Sequence, residues 1–187
     1  MSDFRAVFVC TGNRFRSPLA AALFRREAEQ LGVSVDVQSF GLLEPDGSPA
    51  LGEALELGNG FGVELASHRS RALRSGALQD VDLVVGFERM HVAAAVVDAG
   101  ARREVTYTLP ELVSLLAEVR QRPSEPGAAG ARELVLAASS QRAEAESFTD
   151  VPELADPFGQ PYRRQEELAV RVADLTQALA RRLFSPS

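Results

Sequence analysis

The chain has a single cysteine, Cys10, and neither lysine nor tryptophan. One thiol forms no intrachain disulfide, and it is too few for a structural zinc site or a C-x-x-C redox pair. That usage suits a reducing, cytoplasmic setting. No apolar run approaches the ~20 residues that cross a bilayer. The opening residues, Met1-Ser2-Asp3-Phe4-Arg5, lack the basic and apolar regions of a secretory signal. Positive charge is the minority, 20 basic side chains against 26 acidic ones for a net charge of -6. That sign opposes a nucleic-acid backbone as the main partner. Every basic residue is arginine, and alanine is abundant. Codon usage in a GC-rich genome accounts for that pattern without invoking phosphate recognition. Nothing in the sequence specifies an oligomeric state.

What the chain does contain fits one α/β domain. Its 187 residues suffice to bury about 70% of the unfolded surface without a disulfide or metal. Ala6-Val7-Phe8-Val9-Cys10 reads as a buried strand, followed by a turn at Thr11-Gly12-Asn13. Ser17-Pro18 has the form of an N-cap with proline at the first helical position, and that helix should stop near Gly32. Val33, Val35 and Val37 alternate as a second strand ending near Ser39-Phe40-Gly41. The stretch Glu44-Pro45-Asp46-Gly47-Ser48-Pro49 reads as loop. A helix is expected over 50–57, a short helix within 67–78, and a third strand over 81–87. A helix over 88–97 follows, carrying His91 on its surface. A fourth strand is expected over 104–107, a helix over 109–119, and an amphipathic helix over 162–183. Strands that alternate with helices argue for a parallel sheet. Residues 121–147, rich in Pro, Gly, Ala, Ser and charge, read as a partly mobile insertion with one helical island over 131–138.

The chemistry concentrates in Cys10-Thr11-Gly12-Asn13-Arg14-Phe15-Arg16-Ser17-Pro18, between a strand end and a helix start. A loop of this length can turn successive backbone N–H groups inward as an anion nest. The helix that follows adds unpaired N–H groups and its positive dipole end. Arg16 can return to hold two oxygens of a tetrahedral anion. Such surroundings favour a thiolate at Cys10, the form that attacks phosphorus. Gly12 and Asn13 tolerate positive φ, and Ser17 is placed to hydrogen-bond the thiolate.

This segment resembles the phosphate-binding loop of the low-molecular-weight protein tyrosine phosphatases, whose signature is C-x-G-N-x-x-R-S-P. Cys10, Gly12, Asn13, Arg16, Ser17 and Pro18 carry every fixed letter. The resemblance implies a three-layer α/β fold with a four-stranded parallel sheet, order 2-1-3-4, and helices on both faces. It implies that Cys10 is the nucleophile and Arg16 the transition-state clamp. Asp156, in Asp156-Pro157 just before the last helix, matches the family's general acid. Thr11, Gly12, Asn13, Arg14, Phe15 and Ser17 would bind the substrate, and Phe158 would form an aromatic wall of the site. Ser39-Phe40-Gly41 and Ser67-His68-Arg69-Ser70-Arg71 resemble two further family stretches, which implies that Ser39 and His68 join Asn13 and Ser17 in hydrogen bonds that hold the loop in shape. The implied substrate is a phosphotyrosine protein or a small aryl phosphate, turned over through a phosphocysteine with no cofactor and no metal.

The chain also departs from the family pattern. Phe15 stands where many members carry a second, protective cysteine, so oxidised Cys10 has no internal thiol to rescue it. Arg14 stands where an apolar residue is frequent, and Phe40 is bulkier than the usual alanine. The third strand ends in Gly86-Phe87-Glu88 where Met-Asp is common. Two other functions fit the same loop. One is arsenate reduction with an external low-molecular-weight thiol; the other is non-catalytic oxyanion binding.

Overall fold

A computed structural model describes residues 3–43, 46–144 and 151–185. Four parallel strands, β1 (Phe4–Cys10), β2 (Val35–Gly41), β3 (Leu83–Gly86) and β4 (Thr106–Thr108), form one sheet in the order β2-β1-β3-β4. This is the expected topology. β1 lies centrally, so both of its faces are covered. Phe4, Ala6, Phe8 and Cys10 enter the larger core, while Val7 and Val9 enter the smaller one. That two-sided burial is why the strand reads as a continuous apolar run rather than an alternating one.

The larger face is covered by α1 (Arg16–Gln30), α4 (Leu109–Glu118), α5 (Ala128–Glu144) and α6 (Tyr162–Phe184). Phe4 and Phe24 each meet Phe184 edge-on, at 5.4 and 5.5 Å between ring centres. α2 (Gly52–Gly60) packs beside α1 and α6, and α3 (Arg89–Val97) lies on the opposite face of the sheet.

Several boundaries differ from the sequence expectation, each for a local reason. α1 begins at Arg16, so Ser17 is inside the helix and is not its cap. Its hydroxyl turns toward Cys10 instead. β2 begins at Val35 rather than Val33, and β4 begins at Thr106, after a short 3-10 turn at Arg103–Val105. No helix forms over 67–78. That backbone instead bridges Gly41 to Ala72 and Pro49 to Arg69, so its N–H and C=O groups are spent on neighbours. Only Asn13 of the loop takes positive φ, at 51°; Gly12 does not.

Residues 128–144 form a longer helix than the expected island. Ala131, Leu134, Val135 and Ala138 of α5 are buried in the larger core. Arg132 forks onto Asp82, its Nε 2.8 Å from Oδ1 and its Nη2 3.0 Å from Oδ2. Arg142 donates to Glu111 at 2.8 Å and lies 3.9 Å over the Tyr107 ring. The expected insertion therefore contributes core residues along α5. Glu44 and Pro45 of the expected loop, and 145–147 of the expected insertion, lie outside the described residues.

Candidate active site

The loop over 10–16 joins β1 to α1 at the carboxyl edge of the sheet. Its carbonyls are held from outside. Leu42 and Leu43 donate to the Thr11 oxygen at 2.8 and 3.0 Å, and Leu51 donates to the Arg14 oxygen at 2.9 Å. The His68 Nε2–H donates to the Asn13 oxygen at 2.7 Å. With the carbonyls drawn outward, the amides of residues 12–16 have no acceptor among the described residues. Those donors and the α1 N-terminus together make a concave, electropositive cradle.

Asn13 is the hub that shapes it. Its Nδ2 donates to Ser17 Oγ and Ser39 Oγ, both at 2.8 Å, and its Oδ1 accepts from the Arg71 amide at 2.9 Å. Both N–H donors and the carbonyl oxygen of this fully buried side chain are thereby engaged. Ser17 Oγ lies 3.0 Å from Cys10 Sγ. Burial and the neighbouring Arg71 and Arg69 push His68 below its ordinary range, so its imidazole is neutral at pH 7. The Asn13 and Ser17 side chains bond to each other at the loop and are not part of the cavity lining, while Ser39 bonds Asn13 and His68 bonds the loop carbonyl. Gly41 is a missed member. A methyl at its Cα would sit 2.8 Å from the Asn13 nitrogen and 2.9 Å from the Thr11 oxygen. Only glycine lets β2 approach the loop this closely.

Arg16 is 1% exposed and its guanidinium is fully engaged at both Nη atoms. Nη1 donates to Glu88 Oε1 at 2.5 Å and to the Leu154 carbonyl at 2.8 Å. Nη2 donates to Thr11 Oγ1 at 3.0 Å and to Asp156 Oδ2 at 2.5 Å. Leu154 is itself clipped to the end of β3, its amide 2.9 Å from the Phe87 carbonyl. This clip brings the segment before α6 over the cradle. The other oxygen of Asp156 accepts from the Phe158 amide at 3.0 Å.

His91 corrects the sequence reading most sharply. It is buried, not on the surface. Its Nδ1 faces the amides of Phe87 and Glu88 at 3.3 and 3.0 Å, and its Nε2 lies 3.2 Å from Thr11 Oγ1. Burial first, and then the nearby Arg16 charge, lower its pKa to about 4. Glu88 and His91 were legible only as an i, i+3 polar pair opening a helix after a strand.

A cavity of about 380 Å³ opens above Cys10, lined by Thr11, Gly12, Arg14, Phe15, Arg16, Leu43, Leu51, Asp156 and Phe158. Its floor carries the thiol and the cradle, and its upper walls are apolar except for Arg14 and Asp156. The Arg14 side chain is anchored by its Nε to the Pro49 carbonyl at 2.8 Å. Such a site can seat a tetrahedral dianion over a thiol while an apolar group fills the mouth. Among the described residues, no cluster of three His, Cys, Asp or Glu side chains is arranged to hold a metal ion. No helix among them is long and apolar enough to cross a membrane.

The model of the low molecular weight phosphotyrosine protein phosphatase family matches residues 5–125. The chain belongs to that family. Its chemistry is that of a cysteine-based phosphatase, and the comparisons do not favour the arsenate-reductase or oxyanion-regulator readings. A protein-arginine-phosphatase of Bacillus subtilis (strain 168) is 34% identical over 108 residues, covering 58% of this chain and 71% of that protein. A low molecular weight protein-tyrosine-phosphatase of Streptomyces coelicolor is also 34% identical, over 49% of this chain and 57% of its own length. Among solved structures, a YwlE mutant from Bacillus subtilis superposes with a TM-score of 0.71 at 25% identity, covering 97% of this chain and 99% of that one. The low molecular weight protein tyrosine phosphatase from T. tengcongensis gives 0.68 at 25% identity, over 95% and 97% of the two chains. The family model ends before Asp156 and does not reach that segment.

Proposed function

We propose that this phosphatase hydrolyses phosphotyrosine in proteins, or small aryl phosphates, in the cytoplasm. The observation that supports it most is the cradle at the cavity over Cys10, whose carbonyls are tied from outside and whose amides have no acceptor among the described residues. Cys10 Sγ attacks phosphorus, and the P–O bond to the leaving oxygen breaks. Asp156 gives that oxygen its proton. Water then attacks the phosphocysteine with Asp156 as base, releasing phosphate and the thiolate. Arg16 and the loop amides stabilise charge on the equatorial oxygens. Both Nη2 hydrogens of Arg16 are occupied before substrate arrives. A phosphate oxygen takes the one held by Asp156, and the freed carboxyl turns toward the leaving group. Ser17 supports the thiolate as it forms and leaves.

The walls favour an aryl group. Phe15, Leu43, Leu51 and Phe158 offer apolar contact, and Phe158 is 72% exposed at the mouth, where a ring can stack on it. A phosphorylated arginine, the substrate class named for two of the relatives, brings a guanidinium. Here that group meets Arg14 on the wall, with Asp156 the only carboxylate among the described residues of the lining. Like charge in a partly desolvated mouth disfavours it.

The test is hydrolysis of para-nitrophenyl phosphate with chelator present, wild type beside Cys10→Ser, followed by matched phosphotyrosine and phosphoarginine peptides. Turnover in the wild type alone, with the tyrosine peptide preferred, supports the proposal. Absence of turnover with the thiol reduced refutes it. Preference for the arginine peptide refutes the substrate assignment.

A further inference from the structure

Thr11 sits first in the loop after Cys10, and its hydroxyl has an unusual set of neighbours. Arg16 Nη2 donates to Oγ1 at 3.0 Å. His91 Nε2 lies 3.2 Å from the same oxygen. The direction of that second bond is fixed by the far side of the ring. Nδ1 faces two backbone N–H groups, of Phe87 and Glu88, and so must be the acceptor. In a neutral imidazole the proton is then on Nε2, and Nε2–H donates to Thr11. Burial beside Arg16 keeps the ring neutral at working pH.

A hydroxyl oxygen has two lone pairs and one proton. Both lone pairs of Thr11 are filled, by Arg16 and by His91. Its proton has no acceptor among the described residues, and Thr11 lines the cavity over Cys10. We propose that the Thr11 hydroxyl is a dedicated hydrogen-bond donor to the bound phosphoryl oxygens, and that His91 is the positioning residue that forces it to donate. This rests on the phosphatase reading above. It adds a side-chain donor to a cradle otherwise built from amides and Arg16. It also explains a buried histidine that the two-step chemistry itself does not use.

Thr11→Val keeps the shape and removes the donor, whereas Thr11→Ser keeps the donor. His91→Asn can still accept from the Phe87 and Glu88 amides through its shorter side chain, but it does not reach Thr11. A hydrogen bond to a charged oxygen implies a loss of kcat/KM of about ten- to a hundredfold in Thr11→Val. Thr11→Ser should stay within a few-fold of wild type. His91→Asn should cost about tenfold in the wild-type background and nothing further in Thr11→Val, because it acts through that hydroxyl. Wild-type turnover in Thr11→Val overturns the proposal. So does an equal His91→Asn penalty in both backgrounds.

Inorganic phosphate binding by the Cys10→Ser protein is a second readout that does not depend on turnover. Thr11→Val should weaken it by about tenfold, and unchanged affinity overturns the donor role. If the wild type shows no turnover at all, the phosphatase reading fails, and this binding measurement still decides the role of Thr11.

Discussion

Acid should destabilise this protein through one identifiable group. His91 is fully buried, its ordinary pKa of 6.5 lowered to about 4, chiefly by burial and then by Arg16. The unfolded chain therefore takes up a proton near pH 6.5 while the folded one resists until about 4. Stability from the neutral ring is complete above 6.5, falls as pH drops through that window, and levels off below about 4. At pH 4.5 the linkage amounts to about 2.5 kcal/mol lost relative to pH 7, taking 1.36 kcal/mol for each unit between the two values. Other groups titrate over the same range, so the comparison that isolates His91 is with His91→Asn, which cannot protonate. Urea unfolding of both proteins at the two pH values is the assay. At a slope of ~2 kcal/mol/M, the wild-type midpoint should fall by about 1 M more than that of the variant. Midpoints that fall in parallel would mean that His91 is not held neutral, and the orientation of Thr11 argued from it would lose its support.

Three further outcomes follow from the site and the core. Asp156→Ala should slow release of a poor leaving group by about 10²–10⁴-fold and that of para-nitrophenolate far less; equal losses on both would remove Asp156 as the acid. Gly41→Ala forces a methyl against the Asn13, Gly12 and Thr11 backbone. It should cost about 1–3 kcal/mol in urea unfolding and lower kcat; a variant equal to wild type in both would refute the close approach. Leu134→Ala, at a buried position of α5, should cost about 2–5 kcal/mol. A change under about 0.5 kcal/mol would show that α5 lies outside the cooperative core.

The parts that were legible in the sequence are those where local rules and tertiary demands agree. β1 and α6 are long, strongly patterned segments, and their burial follows the pattern closely. Thr108 with Glu111 forms a capping box that starts α4 where the sequence places it. The Cys10–Pro18 segment was legible because a cradle needs particular residues at particular offsets. Apart from Ser17, whose hydroxyl is claimed by its own loop, the failures share one cause, which is contact across long separations. Ser17 looks like a cap, but Asn13 and Cys10 claim its hydroxyl. Residues 67–78 look helical, but the loop takes the Arg71 amide, and Gly41 exchanges bonds with Arg71 and Leu73. α5 has little amphipathic pattern, and its contacts to the rest of the fold include the distant Asp82 and Glu111, which pair with its Arg132 and Arg142.

That division also separates two properties of the site. Anion binding is encoded within seven consecutive residues, because the cradle amides and Arg16 lie in the loop itself. The orientation of Arg16 is not. It is set by Glu88, by the Leu154 carbonyl and by Asp156, which lie 72, 138 and 140 residues away. A guanidinium that only binds a phosphate can sample several poses, whereas one that stabilises a transition state must be held in a single pose before the reaction begins. The loop therefore supplies the groups that bind the anion. The rate depends on the distant clamps, and substitutions at Glu88 or at the 154–156 segment should separate the two, lowering kcat while leaving phosphate binding nearly intact.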